Sequence, residues 1–270
     1  MDATCADIRS ALARAASASE PQAGPFVLGP GALVRDIVLH VPGASRAMER
    51  FRIDYCCGGQ RSLEAVCRES RVTLDAVLGA IEEERAKGGA SDAELLVIPL
   101  GHLIEHIVGE HHARTRAEAL RIPALARRAV DASAGDTKAI TAVSAEVERL
   151  FVSLMAHLAE EESVLFPYVV ALEEAGATGG PPPVAIFESV RDEVRELERD
   201  HEHGEAHLLE LRRLASDYAV DPSTAPPVRE LFAALEAYEK DLQRHMHLES
   251  NVLFPRAGWL EAKLRGTRRR

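Results

Sequence analysis

Two stretches of this sequence carry residue types that bind metal ions at a repeated spacing. One reads H-L-A-E-E-E-S-V-L-F-P from His157 to Pro167, the other H-M-H-L-E-S-N-V-L-F-P from His245 to Pro255. Both contain H-x-x-x-E-x-x-V-L-F-P, 88 residues apart, and the identical spacing marks an internal duplication. On a helix, His at i and Glu at i+4 project from one face, one turn apart. An imidazole nitrogen and a carboxylate oxygen presented together in this way can ligate a cation.

The neighbours of each pair say which face this is. Val147, Leu150, Leu154, His157, Glu161 and Val164 follow steps of three and four, as do Leu231, Leu235, Tyr238, Leu242, His245, Glu249 and Val252. Such a rhythm is the inner seam of a helical bundle. A bare carboxylate there costs several kcal/mol or more unless a positive partner is present. A single copy would read as a hydrogen-bonded core histidine beside a solvated Glu160-Glu161-Glu162 run. Two copies aimed into one seam favour a shared cation.

Other helices should contribute further ligands. Val190, Val194, Leu197, His201, Leu208 and Leu211 share one stripe, so His201 points inward, while His203 and His207 lie off it. His201 precedes His245 by 44 residues, and the duplication therefore expects a partner about 45 before His157, at His112. Periodicity alone disagrees: Leu100, Leu103, Ile104 and Ile107 centre the stripe nearer His111, and His102 and His106 are also spaced i, i+4. Four imidazoles and two carboxylates fit two metals better than one, with the glutamates bridging. Mixed ligation of this kind in a bundle suits di-iron carboxylate chemistry, although zinc or manganese could use the same ligands. No cysteine lies in this half of the chain, which excludes a thiolate zinc site there.

The elements that must position these residues are helices. The chain has 270 residues, 46% hydrophobic and only 4% aromatic, with abundant Ala, Leu and Glu. That composition favours an all-α fold over a β-sandwich. Helices are expected at about 93–120, 137–171, 184–219 and 226–250, with a shorter one at 123–131, forming an up-and-down four-helix bundle over 93–258. Breaks are expected at Pro123, Gly135-Asp136, the run 179–183 and Pro222 to Pro227. A small helical domain at 30–86 precedes the bundle, with a hinge at Lys87-Gly88-Gly89-Ala90-Ser91-Asp92; residues 1–29 read as a flexible arm and 259–270 as a basic tail. The net charge of −11 argues against a nucleic-acid surface. The longest apolar run, Leu95 to Leu100, is too short to span a bilayer, and the N-terminus lacks a secretion-signal pattern. A cytoplasmic location is the expectation.

All four cysteines, Cys5, Cys56, Cys57 and Cys67, fall in the first quarter, whereas ten of eleven histidines lie between His102 and His247. Adjacent cysteines rarely pair with each other, because the small ring opposes disulfide geometry. Gly58-Gly59 lets the backbone turn beside Cys56 and Cys57 and is expected to keep the thiols accessible. Thiolates suit transient iron binding or redox exchange. Cys5 and Cys67 read as small buried residues.

At this point the sequence resembles a known family. Asp54-Tyr55-Cys56-Cys57-Gly58-Gly59 is similar to the signature of ScdA-type N-terminal domains, and the duplicated H-x-x-x-E-x-x-x-L-F-P resembles hemerythrin-like domains. Together, over about 30–258, they resemble the Ric family (repair of iron centres, ScdA/YtfE-type). The resemblance implies a di-iron protein that restores iron–sulfur clusters damaged by oxidative or nitrosative stress. It implies two iron ions, oxo- or hydroxo-bridged and carboxylate-bridged, held by His112, His157, Glu161, His201, His245 and Glu249, and so chooses His112 over His111. One departure concerns the third helix, where the family usually has Gly four residues after its histidine; here Glu205 stands there and Gly204 precedes it.

Iron donation with Cys56 and Cys57 as a thiol relay is the first functional expectation, and damaged iron–sulfur proteins are its partners. On this reading the chain is an iron donor rather than a turnover catalyst. A homodimer through the N-terminal domain is a further expectation, with no nucleic acid and no membrane as partners. The alternatives are a di-iron nitric oxide or peroxide reductase and an oxygen or nitric oxide sensor.

Overall fold

A computed structural model describes residues 26–88, 91–133 and 137–267. The start of the arm, Cys5, Gly89-Ala90, Gly135-Asp136 and Arg268-Arg269-Arg270 lie outside the described residues. Apart from one isolated antiparallel bridge, Leu33 with Ser62, the described chain is helical. Short helices come first: α1 (Val34–His40), α2 (Ala44–Arg50), α3 (Leu63–Glu69) and α4 (Leu74–Ala86). A 3₁₀ turn at Asp92–Leu96 follows, then α5 (Leu100–His106), a π turn (Ile107–His112) and α6 (Ala113–Ala132). Next are α7 (Lys138–Glu160), a π turn (Glu161–Leu165), α8 (Phe166–Thr178) and α9 (Val190–Leu214). After a 3₁₀ turn at Ser216–Tyr218 come α10 (Pro226–Leu248), a π turn (Glu249–Leu253) and α11 (Phe254–Thr267). The long helices form a bundle, and no described helix is long and apolar enough to cross a membrane.

Several boundaries differ from the sequence expectation. Pro123 does not break the chain but lies inside α6. A proline there costs about 3 kcal/mol, yet Ile122, Leu125, Ala126 and Ala129 are buried around it, and that burial keeps the helix intact. The separate helix expected at 123–131 is therefore part of α6. The first long helix begins at Leu100 rather than 93, because Pro99 disfavours helical geometry at Ile98. The fourth helical run continues through Pro255 to Thr267.

The chain divides into two compact units. Among the described residues the first comprises those within 26–104, Phe166–Val194 and 247–267, the second those within 105–165 and Arg195–Met246. In the first unit, Ile37, Met48, Leu63, Val77 and Ile81 form an apolar core among α1 to α4. Ser62 and Thr73 cap α3 and α4 by accepting from the amides of Ala65 and Ala76. Buried or half-buried carboxylates satisfy helix starts elsewhere in this unit. Glu173 accepts from the amides of Leu100 (2.6 Å) and Gly101 (2.9 Å), and Glu261 from the amide of Val190 (3.0 Å) and the hydroxyl of Tyr168 (2.9 Å). In the second unit α6 packs along α7, and the expected seam is buried: Val147, Leu150, Leu154, Leu197, Leu208, Leu231, Leu235 and Leu242 are all inside.

Candidate metal centre

Three helical runs widen from α to π geometry where a candidate ligand sits. The first π turn ends on His112, the second opens on Glu161 and the third opens on Glu249. A π turn accommodates one extra residue, so the inward stripe slips by one position across it. Val164, placed in the seam by steps of three and four, is accordingly half-buried, and Leu165 is fully buried in its stead. The same slip separates His111 from His112. Both are buried, but His111 Nδ1 lies 3.2 Å from Asp241 Oδ1, whereas His112 turns to the other histidines.

In the second unit the imidazoles meet in pairs. His112 Nε2 is 3.0 Å from His245 Nε2, and His157 Nε2 is 3.2 Å from His201 Nε2. Glu161 Oε2 lies 3.4 Å from His112 Nε2 and 3.5 Å from His157 Nε2, between the pairs. Glu249 follows His245 by one turn of the same continuous helix. Two sets result, His112, Glu161, His245 and Glu249, and His157, Glu161, His201 and Glu249; within each, one ligand atom per residue lies within 4.8 Å of the others. Both glutamates belong to both sets. His102 and His203 are exposed, His106 is half-buried against the His111 ring, and His207 Nδ1 meets Glu146 (2.5 Å). Glu205 is in neither set.

A cation fits this donor set. Glu161 is wholly buried, and neither carboxylate oxygen has a hydrogen-bond partner. An isolated buried carboxylate is strongly unfavourable, and a bound cation would supply the missing positive charge. Around the edge, Glu162 Oε1 meets His112 Nδ1 (2.6 Å) and Arg116 Nη2 (2.6 Å), and Asp200 Oδ2 meets His157 Nδ1 (3.3 Å). Burial opposes ionisation of Glu162, but its hydrogen bonds with Arg116 and His112 prevail and hold its carboxyl below the usual range. The hydrogen bond with His157 likewise lowers Asp200. A crevice too tight to admit a water molecule is bordered by His157, His201, His245, Asp200, Gly204 and Met246.

The cysteine pair sits in the first unit, on a turn organised by Asp54. Its carboxylate accepts from the Cys56 amide (2.9 Å), the Cys56 thiol (3.1 Å) and the Gly58 amide (2.6 Å). Cys56 is buried and Cys57 half-buried, so the expectation of two accessible thiols is corrected: the Asp54 bonds fold Cys56 inward. Cys67 is buried as well, and burial pushes its thiol up. A Cβ on Gly59 would lie 2.5 Å from the Tyr55 carbonyl oxygen and 2.8 Å from Arg35 Cβ. Gly59→Ala is therefore expected to destabilise the protein by about 1–3 kcal/mol, read as a lower denaturation midpoint with unchanged slope.

Two residues not singled out from the sequence hold this turn. His247 Nδ1–H donates to the Tyr55 carbonyl (2.9 Å), with the two rings edge to face, and Asn251 Nδ2 donates to the Cys56 carbonyl (2.9 Å). They flank Glu249, two residues to either side. Two residues is roughly half a turn of helix, so Glu249 lies on the face of this segment away from the one that grips the cysteine turn. The sequence signal was the second histidine in H-M-H and the i, i+4 spacing of His247 and Asn251.

Histidine and glutamate ligands converging inside a helical bundle define a cation-binding bundle protein. Comparison with known families gives that class its name: residues 103–257, more than half of the chain, match the hemerythrin HHE cation binding domain. The chain belongs to that family. Residues 31–85 match ScdA_N, described as a domain of unknown function. Among curated proteins, it is 28% identical over 225 residues to the iron-sulfur cluster repair protein YtfE of Enterobacter sp. (strain 638), covering 82% of this chain and 94% of that one. A probable iron-sulfur cluster repair protein of Haemophilus influenzae is 22% identical with the same coverage, and YtfE of Escherichia coli (strain SMS-3-5 / SECEC) 26%.

Proposed function

We propose that this chain repairs damaged iron–sulfur clusters by donating iron held in the bundle. The observation that carries the reading is the sharing of Glu161 and Glu249 by both ligand sets, which suits two cations bridged by two carboxylates. His112 and His245 would hold one iron, His157 and His201 the other. Bound there, the pair supplies a store of redox-active iron in a buried site. Imidazole and carboxylate, rather than thiolate, leave that iron exchangeable to softer sulfur acceptors. The likeness to the named repair proteins, over nearly their whole length, supports the same clients: proteins with damaged clusters.

The chain's own residues prepare the transfer. Cys56 and Cys57 act as a thiol relay, seated by His247 and Asn251 against the segment that carries Glu249. Thiols used as a relay need a reducing, cytoplasmic setting. The reading assigns 30–86 to the relay domain, which also pairs two copies of the chain, and 93–258 to the iron-holding bundle. The experiment is to load the protein with iron, record the absorption of an oxo-bridged pair, and add it to a cluster enzyme inactivated by nitric oxide. Two irons per chain, lost as the enzyme recovers, are expected. Recovery without loss of iron from this protein overturns donation; steady consumption of nitric oxide with an electron donor and no recovery points instead to a reductase.

A further inference from the structure

We propose that Glu162 and Asp200 are positioning residues of the metal centre, one for each ligand set, each fixing the tautomer and ring orientation of one histidine. The inference rests on the two-cation reading of the same six ligands and deepens it. An imidazole binds a cation through a nitrogen that carries no proton, and the partner of its other nitrogen decides which one that is. In His112, Nδ1 is 2.6 Å from Glu162 Oε1 while Nε2 faces His245 and Glu161. In His157, Nδ1 is 3.3 Å from Asp200 Oδ2 while Nε2 faces His201 and Glu161. Each carboxylate thus accepts the Nδ1–H and leaves an Nε2 lone pair directed inward.

The two braces share a construction. Glu162 follows the ligand Glu161, and Asp200 precedes the ligand His201. Adjacent residues are about 100° apart around a helix. Each helix therefore offers one residue to the cluster and uses its neighbour to steady a histidine on a different helix. Neither brace belongs to either ligand set. They differ in support. The Glu162 oxygen that meets His112 also accepts from Arg116 (2.6 Å), and its side chain is 29% exposed. The Asp200 side chain is 38% exposed, with His203 Nδ1 at 3.9 Å. Removing Glu162 also leaves the Arg116 cation facing His112 without its counter-charge, so the Glu162 brace carries the larger effect.

The test uses the full-length protein stripped of metal and titrated with Co(II), whose visible absorption reports its ligand field. Glu162→Ala and Asp200→Ala are each expected to weaken one of two Co(II) equivalents about 10- to 100-fold and leave the other near its original affinity. Glu162→Gln and Asp200→Asn, which keep an oxygen acceptor for Nδ1–H, are expected to recover most of that loss. The melting temperature of the metal-free protein should stay the same across the series. Unchanged affinity for both equivalents in the alanine variants overturns the proposal, as does a loss that Gln and Asn fail to rescue. If an alanine variant does not fold, the Gln and Asn variants decide it: a Co(II) affinity as low as that of a His112→Ala or His157→Ala protein overturns it. Should the parent protein bind fewer than two Co(II), the two-cation reading fails instead, and the two failures are told apart before any variant is made.

Discussion

Exchanging Glu161 and Glu249 together for alanine is expected to reduce bound iron from two per chain to less than one, measured by elemental analysis after reconstitution. Each residue belongs to both ligand sets, so the double variant strips every set of both its carboxylates and leaves only imidazole pairs. The single variants should fall between. Retention of two irons by the double variant would end the bridging assignment. A neutral isostere separates ligation from packing. Without metal, the pair Glu161→Gln and Glu249→Gln should be more stable than the parent by about 1–4 kcal/mol, because buried charges are relieved. With iron present the order should invert, since only the parent gains binding energy, about 4 kcal/mol at a free metal concentration a thousandfold above Kd. A crossing of the two stability curves between metal-free and iron-loaded protein is the signature of carboxylates kept for a cation.

The duplicated His and Glu motif, the all-helical pattern and the seam around them could be read from the sequence because they are local: i, i+4 spacing and apolar rhythm survive in one dimension. The π turns could not. Straight α periodicity carries Leu103 and Ile107 on to His111, and only the extra residue accommodated at Ile107–His112 brings His112 into the cluster. The offset between the repeated halves was the better guide, since it includes the widened turn wherever it falls. The same blindness affected Val164 and Leu165. Pro123 misled in the opposite sense, because a local helix breaker was outweighed by apolar burial on both sides of it. Glu162 looked like one of three solvated glutamates, and His247 was not singled out. Their partners lie many residues away, His112 for Glu162 and the Tyr55 carbonyl for His247; the i, i+4 spacing of His247 and Asn251 puts those two on one face without saying what that face meets.

Replacing Cys56 and Cys57 together by serine is expected to leave the iron content and absorption of the bundle unchanged while reducing repair of a nitric oxide-damaged cluster enzyme to background. Iron leaving hard nitrogen and oxygen ligands for a cluster needs a soft acceptor on the way, and vicinal thiols provide one. Serine is a fair probe here. The Cys56 thiol donates to Asp54 Oδ1 at 3.1 Å, and a serine hydroxyl can make the same bond. The grip of His247 and Asn251 falls on the backbone carbonyls of Tyr55 and Cys56, which the substitution leaves in place. The turn should therefore stay seated while its sulfur chemistry is lost. The two thiols are unequal, Cys56 buried and Cys57 half-buried, so Cys57→Ser alone should cause the greater part of the defect and Cys56→Ser the smaller. Normal repair by the double serine variant would remove the relay and leave the small domain as a docking or dimerisation element. Equal defects in the two single variants would require the turn to open before transfer, which Asn251→Ala, by loosening its hold on Cys56, should then accelerate.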